Sequence, residues 1–360
     1  MIGLRRTSGI LSTWVVVLWG SNDPPGPVMR KRNFTNSMLQ GVRRWREKYY
    51  PSLFLSNLAR PCFLAARVVE EQIRRKVRRN GVSVELPNGR RLKLARDAGI
   101  GFASGLYWNG FENYEPPTSR TLRFFFERVK TFVDVGANIG FYSLLAGHWN
   151  PHLRVVAFEP VPDIFAHLEA NIRENNLSDR VSVFQIALSD STGTATFYLP
   201  PSDGTAECEM TGTLVDNGWQ RRKQSAEIGV RTSRFDDFER ENPLKADLIK
   251  IDVEDFESAV LRGMRATIER DRPFIVCEIL PREHGNRETL IVIESLGYTP
   301  YWITPSGYVK VSRLEFDRRG SLDFLLSPVA GNMEIVDDVE KLWKLYQEQL
   351  SAPQVAKAAI

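Results

Sequence analysis

The stretch "TFVDVGANIGFYSLLAG", residues 131–147, decides how the rest of the chain is read. An apolar run ends in an Asp, passes through a cluster of small residues and resumes as a second apolar run. That order predicts a strand over 131–135, a tight turn, and a helix over 140–148. The alternation then continues. "RVVAFEP" (154–160) is a strand and "DIFAHLEANIRENN" (163–176) a helix; "VSVFQIAL" (181–188) is a strand that turns through "SDSTG" into "TATFYLP". Further strands are "ADLIKIDV" (246–253), "PFIVCEI" (273–279), "YTPYWI" (298–303) and "SLDFLLS" (321–327). The helices "FESAVLRGMRATIER" (256–270) and "RETLIVIESLG" (287–297) lie among them. Strict alternation with short connections predicts an α/β fold: a mostly parallel, seven-stranded sheet with helices on both faces.

Working outward, four regions are expected: a leader (1–40), a helix and β-hairpin extension (41–120), the α/β domain (121–330), and a C-terminal helix and tail (331–360). The leader carries Arg5 and Arg6 before an apolar run from about Ile10 to Trp19. That run is shorter than the roughly 20 residues a bilayer span needs. It has the outline of a signal peptide, but "SNDPPG" offers no clear cleavage site. The alternatives are a disordered tail, or translated sequence upstream of a start at Met29 or Met38. Residues 52–79 read as a helix with a basic, solvated end that stops at Gly81. "VSVELPNGRRLKLA" (82–95) is a hairpin turning at Asn88-Gly89. "GLYWNGFENYEPP" (105–117) is an aromatic connector into a helix, "SRTLRFFFERV" (119–129), and 202–224 is a polar loop.

Composition is that of an ordinary globular chain, 42% hydrophobic and 26% charged over 360 residues. A net charge of +4 does not call for a nucleic-acid partner. Cys62, Cys208 and Cys277 are odd in number and widely spaced, which supports neither a disulfide framework nor a zinc ribbon. A reducing, cytoplasmic compartment and no transmembrane span are expected.

The turn at 136–140 follows a parallel strand, so it opens a ligand crevice at a helix N-terminus. No G-x-x-x-x-G-K-[ST] occurs, which excludes a P-loop. The dinucleotide fingerprint also fails: Asn138 stands where a second Gly would let a pyrophosphate touch the backbone, and Phe141 stands at the third position. An adenosine cofactor without pyrophosphate fits, namely S-adenosylmethionine. Gly136 and Gly140 would keep the turn open, or serve only helix–strand packing. Asp134 would take the cofactor's ammonium. Glu159, about twenty residues on, would hold the ribose hydroxyls, although the same acid serves NAD. Ala187, Ser189 and Asp190 would face the adenine, or form a plain turn.

For catalysis the candidates are Asp252, Glu254, Glu278 and His284. Asp252 ends a buried strand at the crevice edge, and Glu278 ends the next. Glu254, Asp255 and Glu257 have a second explanation as acids at a helix N-terminus. A hydroxyl acceptor must lose its proton as it takes a methyl group, so a base is needed within reach. Asp252 and Glu278 could instead hold a divalent cation, but no tight ligand cluster supports a metal.

"FVDVGANIGFYSLLAG", "AFEP", "IALSDSTG" and "IKIDVEDFE", with the lead-in "YWNGFENYEP", resemble the FkbM family of S-adenosylmethionine-dependent methyltransferases over about residues 80–328. The resemblance implies a class I methyltransferase (Rossmann-like) fold. It also implies O-methylation of a hydroxyl or carboxyl on a small-molecule, sugar or peptide-like acceptor. Asp134, Gly136, Asn138, Gly140, Glu159, Asp252 and Glu254 carry over. One departure stands out: the family often reads "VEGFE", and this chain has Asp255 at the Gly. The insert at 201–224 is expected to shape the acceptor pocket.

Three other readings compete. A nicotinamide-dependent oxidoreductase is opposed by Asn138. A nucleic-acid methyltransferase would use the basic residues 74–79, but no [DN]-P-P-[YFW] motif appears, and Cys62 in "PCFLA" precedes the turn. A cofactor-free module is opposed by the intact turn and the acids at two further strand ends.

Overall fold

The computed structural model describes residues 81–95, 100–199, 226–280, 286–312 and 321–328 with a few isolated positions, all within one compact unit, Arg78–Ile360. The leader, the helix expected over 52–79, the loop over 202–224 (Leu214 aside), His284 and the helix expected over 331–360 (Lys344 aside) fall outside the described residues.

The strand opening the diagnostic stretch is β3 (Thr131–Val135), buried throughout. Its parallel neighbours are β4 (Arg154–Phe158) and β9 (Leu248–Ile251). Beyond β4 lies β5 (Val181–Phe184), and beyond β9 lies β10 (Phe274–Glu278). These strands are near-continuous runs of Val, Ile, Leu and Phe because both faces are covered. An antiparallel extension follows β10: β13 (Asp323–Pro328), β11 (Tyr298–Thr304), then β12 (Gly307–Lys310). The described sheet therefore has eight strands rather than the expected seven, in the order β12-β11-β13-β10-β9-β3-β4-β5. The extra strand is a short hairpin return: Gly307, φ +139°, lets the chain fold back on β11.

Two apolar layers sandwich this sheet. Phe132, Val155, Leu248 and Val276 face α2 (Pro116–Phe126), α3 (Phe141–Trp149) and α4 (Pro162–Glu174). Val133, Val156, Ile249 and Ile275 face α5 (Phe235–Glu241), α6 (Glu257–Gly263), α7 (Arg265–Asp271) and α8 (Arg287–Ser295). Alternate residues of one strand thus enter different cores, as the two-residue side-chain period requires.

Several local expectations change. The aromatic connector is helical: α1 (Ile100–Asn109) leads into a 3-10 turn at Phe111–Asn113. The helix after it starts at Pro116, whose missing N–H suits a first turn. "VSVFQIAL" breaks after Phe184, and β6 (Ala187–Leu188) joins a separate three-stranded sheet with β7 (Gly193–Leu199) and β8 (Ala226–Ser233). "FESAVLRGMRATIER" is two helices meeting at Met264. There α6 runs so close to the chain above it that a Cβ on Gly263 would lie 1.9 Å from the Ser189 carbonyl oxygen.

The hairpin β1 (Val82–Glu85) and β2 (Arg91–Leu94) forms as expected and is docked by two buried amides of α4. Asn175 accepts from Lys93 N–H (2.9 Å) and donates to its carbonyl (2.7 Å). Asn171 accepts from Ala95 N–H and donates to the Ile139 carbonyl, both at 2.7 Å. The second amide ties the hairpin to the turn after β3.

Candidate active site

The chain runs outward from β3 to β4 and β5, then returns to the other side of β3 as β9. At such a reversal the loops after two neighbouring strands part, leaving a crevice at their C-terminal ends. A cavity of about 270 Å³ lies there.

The turn after β3 forms its base. Gly136 has φ +77°, and a Cβ there would sit 1.9 Å from the carbonyl oxygen of Asp252, the residue after β9. Gly140 has φ +90°, and a Cβ would meet Leu168 of α4 at 2.5 Å. Both glycines therefore answer a packing demand, whatever ligand the turn also meets. Gly136 and Ala137 N–H groups donate to the Phe158 carbonyl at 3.0 and 2.9 Å. Asn138 is left-handed at φ +54°, and its side-chain oxygen accepts from Ile139 N–H at 2.7 Å. Asn is among the few side chains that tolerate this conformation.

Glu159 follows β4 and is 5% exposed. Its carboxylate accepts from Asn138 N–H (3.0 Å) and Val161 N–H (2.9 Å), which aims it at the turn. Burial pushes its pKa up to about 7 against those two hydrogen bonds. Asp134, on β3, is buried, and burial raises its pKa; the Lys250 ammonium and the Ser143 hydroxyl, donating at 2.6 Å, work the other way.

On the other side of β3 lies a charged cluster only partly foreseen. Lys250, on β9 and 2% exposed, donates to Asp252 Oδ2 at 2.6 Å and lies 4.9 Å from the Tyr142 ring centroid. Burial opposes its charge, but Asp252, Glu115, Asp134 and Asp323 surround it and hold the ammonium firmly protonated. Burial likewise opposes the Asp252 anion; Lys250 and a hydrogen bond from Glu278 outweigh it and bring Asp252 below the usual carboxylate range. Glu278 is raised in turn, by burial and by Asp252 beside it, so it holds the proton of that pair. Glu254 has its pKa lifted to about 7 by burial and then by Asp252 and Asp255.

The wall therefore brings together Asp134, Gly136, Asn138, Glu159, Ala187, Asp252, Glu254 and Glu278. Gly140 starts α3 behind the turn. Ser189 is buried with its N–H on the Ser233 carbonyl, and Asp190 pairs with Arg262 at 3.0 Å; neither lines the cavity. Among the described residues no group of three or more His, Cys, Asp or Glu is arranged to hold a metal. Sequence reasoning missed Lys250, Tyr142, Tyr114, Glu115 and Phe102, all on the wall. A Lys inside the apolar run "LIKI" was the available signal, since a buried strand seldom carries a lysine without a partner.

The departure at Asp255 also gains a reason. Glu254 and Asp255 are both left-handed, at φ +49° and +76°. Glycine adopts that backbone freely, and Asp is one of the few alternatives that bear it.

A central parallel sheet reversing at β3, with an antiparallel edge and acids at three strand ends, defines a class I methyltransferase fold. Residues 134–300 match the model of the methyltransferase FkbM domain. The chain is 33% identical over 190 residues to the 31-O-demethyl-FK506 methyltransferase FkbM of Streptomyces tacrolimicus, covering 46% of this chain and 71% of that protein. It is 32% identical over 153 residues to the methyltransferase sdnD of Sordaria araneosa (37% of this chain, 59% of that one). It is 30% identical over 158 residues to the 2-O-methyltransferase NoeI of Sinorhizobium fredii (42% and 63%). The chain belongs to the FkbM family of methyltransferases, and it spans 59% to 71% of the length of these three relatives.

Proposed function

We propose that this protein transfers a methyl group from S-adenosylmethionine to a hydroxyl of a small-molecule or glycan acceptor. The observation that carries the reading is the charge of the cavity. Among the described residues Lys250 is the only cation on its wall, and Asp252 already neutralises it; Asp134, Glu159, Glu254, Glu115 and Glu278 are also there. Such a wall suits a ligand bearing a sulfonium and an ammonium and disfavours the phosphates of a dinucleotide. The residues fit the cofactor in kind as well. Glu159 offers lone pairs to vicinal hydroxyls, Asp134 lies by the turn, and Phe158, Ile186 and Leu188 supply an apolar surface for a base.

S-adenosylmethionine, when bound, supplies a methyl group on a sulfonium sulfur. The chain supplies orientation and a proton acceptor. A pKa near 7 makes Glu254 an effective base at neutral pH, able to take the acceptor's hydroxyl proton. Lys250 holds Asp252 as an anion, which fixes the proton on Glu278 and leaves one acid and one carboxylate side by side. The names of two relatives specify O-methylation, which favours a hydroxyl acceptor here.

The test is calorimetric titration with S-adenosylhomocysteine and, separately, NAD, on the wild type and Glu159→Gln. Binding of S-adenosylhomocysteine alone, weakened at least tenfold in the variant, is expected. Binding of NAD instead would overturn the assignment of S-adenosylmethionine as cofactor.

A further inference from the structure

The charged residues of the cavity follow a pattern across the sheet. Side chains two apart on a strand share a face. Lys250 therefore sides with Leu248 on β9, Glu278 with Val276 on β10, and Asp323 with Leu325 on β13, all toward the layer that α2 covers. Asp323 is the register partner of Glu278. Asp252, just past β9, accepts from Lys250 Nζ at 2.6 Å and from Glu278. Asp252, Glu278 and Asp323 thus form a row of acids over three adjacent strands. Like charges placed opposite one another in this way are destabilising.

Glu278 answers by holding a proton, and Asp252 by its bond to Lys250. Asp323 has neither remedy. It is 5% exposed, and among the described residues its carboxylate is held by neutral hydroxyls: Thr118 Oγ1 of α2 donates to Oδ2 at 2.5 Å, and Ser321 Oγ donates to the same atom at 2.8 Å. Burial raises its pKa, while Lys250 and those hydroxyls work the other way. A buried anion without a bonded cation draws positive charge into the nearest open space. That space is the cavity: Lys250, Asp252 and Glu278 line it, and Asp323 stands behind them, off the wall. Asp323 also attracts Lys250 and opposes ionisation of Glu278. Without it, more of the Lys250 charge would act on the cavity. S-adenosylmethionine and S-adenosylhomocysteine differ by one positive charge, at sulfur. Resting on the methyltransferase reading, we propose that Asp323 is a positioning residue that acts through Glu278 and Lys250, without touching a ligand, to bias the cavity toward the sulfonium form of the cofactor over its neutral product.

The test is calorimetric titration of the wild type, Asp323→Asn and Asp323→Glu with S-adenosylmethionine and, separately, with S-adenosylhomocysteine. The quantity read is the ratio of the two affinities. Asp323→Asn removes the charge and keeps an oxygen that accepts from Thr118 and Ser321. It should shift the ratio away from S-adenosylmethionine by about threefold or more, the order expected of one charge lying two strand spacings, roughly 10 Å, from Asp252. Asp323→Glu keeps the charge and should keep the ratio, even if both affinities fall. The Asn amide brings a new buried N–H donor. If that variant melts early, Asp323→Ser removes the charge with a hydroxyl that can turn to a partner, and it should shift the ratio in the same direction. Affinities that fall equally for both ligands in the neutral variants make Asp323 a structural strut and overturn the proposal. So does a ratio that shifts as far in Asp323→Glu as in Asp323→Asn, which would assign the effect to shape. A wild type that binds neither ligand strikes the underlying function instead.

Discussion

A buried carboxylate at a strand end is costly unless something needs it, and Glu159 shows how the cost is managed. Two backbone N–H groups hold it, yet burial still lifts its pKa to about 7 from 4.5. The sign follows: the fold favours the protonated acid, so this group's contribution to stability is full below pH 4.5 and is lost as pH rises through 7. A cationic ligand favours the ionised form. Calorimetry with S-adenosylmethionine should therefore show affinity rising by up to roughly tenfold between pH 6 and 8, with a flatter profile in Glu159→Gln. A steep rise retained in the variant would assign the titration to another group. At Asp255 the backbone is left-handed, so Asp255→Gly should relieve strain and raise the urea-unfolding free energy by about 0.5–1 kcal/mol; a loss of stability would mean that the Asp side chain contributes more than its backbone costs.

At the scale of elements, close approach governs the site. The turn after β3 and the end of β9 meet with no room for a Cβ at Gly136. Gly136→Ala should cost about 3 kcal/mol or more, read from denaturant midpoints, because both the φ of +77° and the overlap with Asp252 penalise it. Asn171 is the second lever. Replaced by Ala, it leaves Ala95 N–H and the Ile139 carbonyl without their partner, at about 1–3 kcal/mol. Hydrogen exchange should then rise over β2 before it rises in the central strands; uniform acceleration would mean that the hairpin does not open separately.

Across the whole molecule, Lys250 links the elements. Its register neighbour on β3 is Asp134, Asp252 immediately follows its own strand, and Asp323 lies on β13. Removing one partner from a buried ion cluster leaves uncompensated charge, so Lys250→Met should destabilise by about 3–5 kcal/mol at pH 8. Part of that loss should return near pH 5, where the abandoned carboxyls can take protons. A loss independent of pH would point to packing rather than charge.

What the sequence determined by itself was the alternation. The short, near-continuous apolar runs around "DVGANIG", "AFEP" and "LIKIDV", alternating with helical stretches, are local signals, so the parallel core, the turn and the acids at its strand ends could be read directly. Asn138 excluded a pyrophosphate niche for the same local reason. Tertiary structure alone decided the rest. That Glu115, Tyr142 and Lys250 meet depends on helices and strands far apart in the chain, and no local pattern encodes which side chains of separate elements share a cavity. That β6 leaves the main sheet for β8, and that Ser189 and Asp190 are drawn off toward Ser233 and Arg262, depends on contacts with chain dozens of residues away. Local periodicity selects the elements; long-range packing and burial select which of their polar groups face the ligand.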